Sequence, residues 1–222
     1  MRALPGLGGW SEDPLWGSFY DWTVEHRTIG GAVWRVGIQS DLGLLYDAAA
    51  EIGRQRAGAR VLDVPCGGGV AVRALRPGQG VDYVAVDISA RMLERTARVA
   101  EEVGVGDQVT TRVADVERLP FDDQEVDLVV SFTGLHCFPD PARAVVELAR
   151  VMKLGGVLTG SALMNDTGLR YEPMRRAGRL AGLLGPGCTT DQLRRWLSRQ
   201  GVADVTVEVS GPMAYFRGVR RA

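Results

Sequence analysis

Between Arg60 and Leu163 the chain alternates short apolar runs with amphipathic stretches, and that alternation leaves few folds open. "RVLDV", "YVAVD", "VTTRVAD", "VDLVVSF" and "VLTGSAL" read as five strands. Helices are expected between them. "GVAVRALR" follows the first strand. The second strand leads into a helix from Ala90 to Val103, capped by Ser89 and stopped by Gly104. Asp140 and Pro141 open another helix, which runs to Met152 and is ended by Gly155 and Gly156. Upstream, Leu42, Leu45, Ala49 and Ile52 share one helical face, with Ser40 or Asp41 as the cap. Continuous apolar strands alternating with helices predict a doubly wound α/β fold, with a mostly parallel sheet covered on both faces.

The end of the chain differs. "TTDQLRRWLSRQ" is an amphipathic helix with Thr189 and Gln192 spaced for a capping box. "DVTVEVS" and "MAYFRGVRR" read as a closing antiparallel pair. These bring the expected sheet to seven strands, with an antiparallel strand at the C-terminal end. One domain over 1–222 is expected, with a cap segment at 1–41 and a lid insertion at 165–188.

The loop "VLDVPCGGGV" carries the first chemical information. It lacks the G-x-G-x-x-G spacing of a dinucleotide fold, and Asp63 stands where a pyrophosphate site avoids negative charge. An anion there suits a cationic ligand, such as an amino group or a sulfonium. Asp87 ends the second strand, 20 residues after Gly67, where a carboxylate accepts ribose hydroxyls. Asp115 ends the third strand, placed for an adenine amino group. Three carboxylates therefore share the carboxyl edge of the expected sheet, where ligands of open α/β folds bind.

With "VLDVPCGGGV", "VAVDIS" and "VADVERLPFDDQEVDLVVSFTGLHCFPDPARAVVELARVMKLGGVL", the chain resembles the class I S-adenosylmethionine (SAM)-dependent methyltransferases. More narrowly it is similar to the type 11 branch that includes ubiquinone and menaquinone biosynthesis enzymes. The resemblance covers about residues 42–163 and implies a Rossmann-like fold. It implies that Asp63, Pro65, Gly67 and Gly69 hold the methionine part of SAM. By the same resemblance Asp87 takes the ribose, and Ile88 packs on the adenine. Asp115 and Val116 meet the adenine edge, and Phe132 and Thr133 line the methionine side. The implied product is S-adenosylhomocysteine (SAH).

Pro65 departs from the family's D-x-G-x-G, and Leu154 stands where "MKLGG" commonly has proline. Proline removes an N–H and fixes φ, yet still offers its carbonyl. The expectation is an intact, stiffened SAM site.

Methyl transfer needs a base only when the acceptor arrives protonated. His136, just after the fourth strand, is the candidate base, and His26 is a second candidate. Cys137 and Cys66 are read as packing residues rather than nucleophiles. Trp16, Tyr20, Trp22, Met164, Tyr171 and Met174 have two uses open to them. They wall an apolar substrate pocket, or they pack on the sheet or in a homodimer contact. The arginines at 170, 175 and 176 either meet an acidic substrate group or form a solvated helix face.

Composition narrows the partners. A formal net charge of −1 gives no electrostatic footprint for nucleic acid, and no N-P-P-[YF] motif follows the fourth strand. Three scattered cysteines without a CxxC pair argue against a zinc site or disulfide framework. No uncharged stretch reaches the roughly 18 residues that a spanning helix needs. A cytoplasmic enzyme acting on a small-molecule acceptor is expected, with no metal. The competing readings are methylation of a thiol or arsenic species, and a SAM-binding protein that has lost methyl transfer. A nicotinamide dehydrogenase is disfavoured by Asp63.

Overall fold

The computed structural model of the chain describes residues 39–222. Its centre is a seven-stranded sheet in the order β3-β2-β1-β4-β5-β7-β6. The strands are β1 (Arg60–Asp63), β2 (Asp82–Asp87), β3 (Val109–Val113), β4 (Val126–Phe132), β5 (Met152–Leu163), β6 (Val202–Ser210) and β7 (Met213–Arg220). The first five pair in parallel, and β7 lies antiparallel between β5 and β6.

Helices cover both faces. Leu45 and Ile52 of α1 (Gly43–Gly53) and Leu93 and Val99 of α2 (Ala90–Glu102) pack on one side with Val61, Tyr83, Ala85 and Val130. Ala144 and Leu148 of α3 (Pro141–Val151) pack on the other with Leu62, Val84 and Val129, as do Leu193 and Leu197 of α5 (Thr190–Arg199). Between them in the chain, α4 (Glu172–Leu180) lies in the 165–188 segment. Successive strand residues supply opposite cores, as a period of two dictates.

The helix starts follow local chemistry. Ser89 Oγ accepts the Met92 N–H, and Asp140 Oδ1 accepts the Arg143 N–H with Pro141 at the first position. Thr189 and Gln192 form the reciprocal capping box.

Two expectations are corrected. "GVAVRALR" forms a single 3-10 turn at Ala71–Ala74, because Leu75 is already extended and Pro77 bars its predecessor from helical geometry. Gly155 and Gly156 do not separate helix from strand. The helix ends at Val151 and both glycines lie inside β5, where its register against β4 shifts. Gly155 takes φ +81°, and a Cβ on Gly156 would stand 3.2 Å from the carbonyls of Val126 and Asp127. Glycine is used here for close backbone approach.

Candidate functional site

The parallel pairing of β2 with β1 and of β1 with β4 brings the carboxyl ends of the three strands together. Asp63 terminates β1 and is 1% exposed. Its Oδ2 accepts the hydroxyl of Tyr83 on β2 at 2.8 Å. Its Oδ1 accepts no hydrogen bond from the described residues. Burial pushes the Asp63 carboxyl up to about 8, against the lowering effect of the Tyr83 hydroxyl, and the nearby Asp87 charge adds to the rise. Tyr83, fully buried, is the site residue that sequence reasoning missed; a tyrosine in a strand reads as an ordinary β former.

Asp87 terminates β2 and fastens the glycine loop. Its Oδ2 accepts the N–H of Gly67 at 3.0 Å, and its Oδ1 accepts the N–H of Ser89 at 2.9 Å. Burial raises its pKa while these backbone N–H groups lower it. Thr96 of α2 completes the clamp by donating to the Gly67 carbonyl at 2.8 Å. Gly67 and Gly69 take φ +50° and +91°. A Cβ at Gly69 would stand 3.1 Å from Thr96 Cα, so the loop lies directly on the helix.

Val64–Pro65 is a cis peptide bond. The loop stays tied to the sheet on both sides of it. Val64 N–H donates to Val130 O at 2.9 Å, and Cys66 N–H donates to Val86 O at 2.9 Å. Pro65 packs against Gly134, where a Cβ would stand 2.5 Å from Pro65 Cδ.

The other expected positions fall around this edge. Ile88 is 64% exposed beside Asp87. Asp115 is exposed and its Oδ1 accepts the Glu117 N–H at 2.9 Å, while Val116 is buried. Phe132 is buried at the end of β4, and Thr133 follows with φ +53°. Thr133 N–H donates to the carbonyl of Ser161 at 2.8 Å.

His136 is buried in the loop after β4. Its Nδ1 accepts the N–H of Leu163 at 3.0 Å, which places the proton of the neutral ring on Nε2. Burial pulls its pKa down from 6.5 to about 4. Cys66 and Cys188 are buried free thiols, and burial pushes Cys188 up to about 12 and Cys66 well up. Cys137 is half-buried, with its Sγ against the Thr133 carbonyl.

Met164 and Tyr171 take the packing use rather than the pocket wall, and Arg175 takes neither of the two uses open to it. Met164 is fully buried in the core, 3.9 Å from Cys188 Sγ, and presents no surface to a ligand. Tyr171 is buried and donates its hydroxyl to Gln39 at 2.9 Å. Arg175 is neither solvated nor open to a substrate. It is 1% exposed and donates to the carbonyls of Met164 and Gly168 and to Glu172. Trp16, Tyr20, Trp22 and His26 lie outside the described residues.

The donor set fits a ligand with a cationic amino group and a ribose. One buried carboxyl group has an oxygen that accepts nothing from the described residues, a second carboxyl and two left-handed glycines shape the loop, and an apolar residue stands exposed at the rim. Among the described residues no cluster of three or more His, Cys, Asp or Glu is placed to hold a metal, and no helix is long and apolar enough to cross a membrane.

Comparisons with known proteins bear on the family and the fold. Residues 62–159 match the family model described as a methyltransferase domain, which implies a SAM cofactor. An uncharacterized chloroplastic methyltransferase of Arabidopsis thaliana is 35% identical over 132 residues, covering 58% of this chain and 36% of that protein. The 27-O-demethylrifamycin SV methyltransferase of Amycolatopsis mediterranei is 32% identical over 149 residues, covering 66% of this chain and 52% of that protein. The chain thus spans about a third to a half of the length of the curated relatives it matches. The crystal structure of YcgJ from Bacillus subtilis has the same fold, with a TM-score of 0.65 at 20% identity over 80% of this chain and 99% of that one.

Proposed function

We propose that this chain is a class I SAM-dependent methyltransferase that transfers a methyl group from SAM to a small apolar or aromatic acceptor, with oxygen the favoured atom. The observation that carries the reading is the pair of carboxylates flanking the glycine loop, Asp63 with its open Oδ1 and Asp87 bound to the Gly67 N–H. Bound SAM supplies a sulfonium methyl already activated for displacement.

In this reading Asp63 meets the amino group, and the backbone from Pro65 to Gly69 closes on the methionine part. The lone pairs left on Asp87 accept the ribose hydroxyls. Ile88 covers one adenine face, and Asp115 and the Val116 backbone meet its edge. Phe132 and Thr133 wall the methionine side. These residues orient the two reactants, and orientation supplies most of the acceleration.

His136 serves as a donor through Nε2 rather than as the base, because Leu163 occupies its other nitrogen. An oxygen acceptor then arrives already ionised, as a carboxylate or an enolate does, or gives up its proton to solvent as the methyl is transferred. Met164, fully buried in the core, and Tyr171, buried with its hydroxyl on Gln39, drop out of the pocket wall. Cap, lid and sheet act as one domain. The printed name of the Amycolatopsis relative, an O-methyl transfer to a small molecule, supports oxygen as the methylated atom.

Calorimetry with SAM and SAH tests the cofactor. Incubation with methyl-labelled SAM and a panel of phenols, enols, carboxylic acids and amines tests the acceptor class. Label moving only to amines would remove oxygen. Tight SAH binding with no labelled product across the panel would favour the alternative, a SAM-binding protein that has lost methyl transfer.

A further inference from the structure

We propose that Tyr83 is a positioning residue that holds Asp63 by one oxygen and presents the other to the cofactor, so that loading the cofactor expels one proton from the pair. The proposal rests on the SAM reading above and extends it to how the site is charged.

The geometry separates the two oxygens of one carboxyl group. Oδ2 accepts the Tyr83 hydroxyl at 2.8 Å, and Oδ1 accepts nothing from the described residues. Tyr83 and Asp63 face each other across adjacent parallel strands, since Tyr83 pairs with Val61, two residues before Asp63 on the same face. Both side chains are buried, Tyr83 completely and Asp63 to 1% exposure. A phenol has one proton to give, and here it goes to Asp63. The hydroxyl therefore fixes the carboxyl plane and leaves Oδ1 a single direction.

The charged surroundings favour a protonated acid before the ligand arrives. Among the described residues the titratable neighbours are Tyr83 and Asp87 on β2 and Cys66 in the loop, and none of these is a cation. On the other flank β4 opposes Asp63 with Val130. A buried carboxyl facing a second carboxylate holds its proton through neutral pH, in line with its rise to about 8. An incoming ammonium reverses that balance. The O–H bond of the carboxylic acid breaks, the proton leaves to solvent, and the carboxylate pairs with the ammonium while keeping the Tyr83 hydrogen bond. Nothing is oxidised or reduced.

The test is calorimetry of SAH binding to the intact chain from pH 5.5 to 7.5, in buffers of different ionisation enthalpy. Wild type should release close to one proton per SAH, and its affinity should rise about tenfold per pH unit. Tyr83→Phe keeps the ring and removes the donor. It should bind SAH about tenfold more weakly at pH 7, with the pH dependence continuing to higher pH, because Asp63 then holds its proton more tightly. Asp63→Asn should flatten the pH dependence and abolish the release, which separates Asp63 from Asp87. Wild-type affinity that is flat with pH, or a Tyr83→Phe profile that overlays wild type, would overturn the proposal while leaving the cofactor reading intact. No SAH binding by wild type at millimolar ligand at any pH would overturn both.

Discussion

The N–H of Leu163, the last residue of β5, donates to Nδ1 of His136 at 3.0 Å. This bond ties the loop after β4 to the end of the neighbouring strand, and it works only while the imidazole is neutral. Protonation would put a donor against a donor. The ring's pKa, pulled from 6.5 down to about 4 by burial, marks a stability contribution that is complete above about pH 6.5. That contribution is lost as pH falls through 4. Its size is bounded at about 3 kcal/mol. His136→Gln keeps a neutral acceptor and should lose less stability than wild type between pH 7 and 4.5, read by urea unfolding.

Asp87 does two jobs at once, since its oxygens already hold the N–H groups of Gly67 and Ser89. Asp87→Ala should weaken SAH binding about 100-fold, near 2.7 kcal/mol, and cost about 1–3 kcal/mol of folding stability. Asp87→Asn retains one acceptor and should fall between the two. Equal affinities for wild type and Asp87→Ala in calorimetry would remove Asp87 from the cofactor site.

Gly134 is the counterpart of Pro65. A Cβ there would stand 2.5 Å from Pro65 Cδ, 2.8 Å from Phe138 Cζ and 2.9 Å from Ser131 Oγ. Gly134→Ala should cost about 1–3 kcal/mol. Shrinking the proline in Pro65→Ala should recover part of that cost, so the double-mutant cycle should show coupling. Strict additivity in thermal unfolding would mean the two positions do not press on one another.

Arg175 should be the costliest single arginine to remove. Its guanidinium satisfies the carbonyls of Met164 and Gly168 while pairing with Glu172. Arg175→Met should destabilise by about 3–5 kcal/mol, because it strands these partners in a buried site. Arg175→Lys should recover little, since an ammonium cannot reproduce the planar fork. Denaturant midpoints of the three proteins decide this, with Arg176→Met as an exposed control.

The parts of the fold that were legible in the sequence are those decided locally. Apolar runs marked the strands, and Ser89, Asp140 and Thr189 each announced a helix start through a side chain that reaches its own backbone. What the sequence hid depends on distant partners. Gly156 reads as a helix stop until the carbonyls of Val126 and Asp127 are seen against it. Arg175 and Arg176 read alike, yet one is buried and the other solvated. The site divides in the same way. Asp63 and Asp87 were visible as acids at strand ends, but the role of Tyr83 needs the register of β2 on β1. The accessibility of Met164 needs the packing around Cys188.

The placement of β7 between β5 and β6 bears on how the protein is made. A ribosome releases β6 before β7, yet β6 has no strand to join until β7 has been laid against β5. The nascent chain can assemble β1 to β5 with the glycine loop as it emerges, whereas β6 must wait as an unpaired edge for residues that follow it. The half of the sheet that carries the carboxylates is therefore complete in vectorial order, and the opposite half closes last.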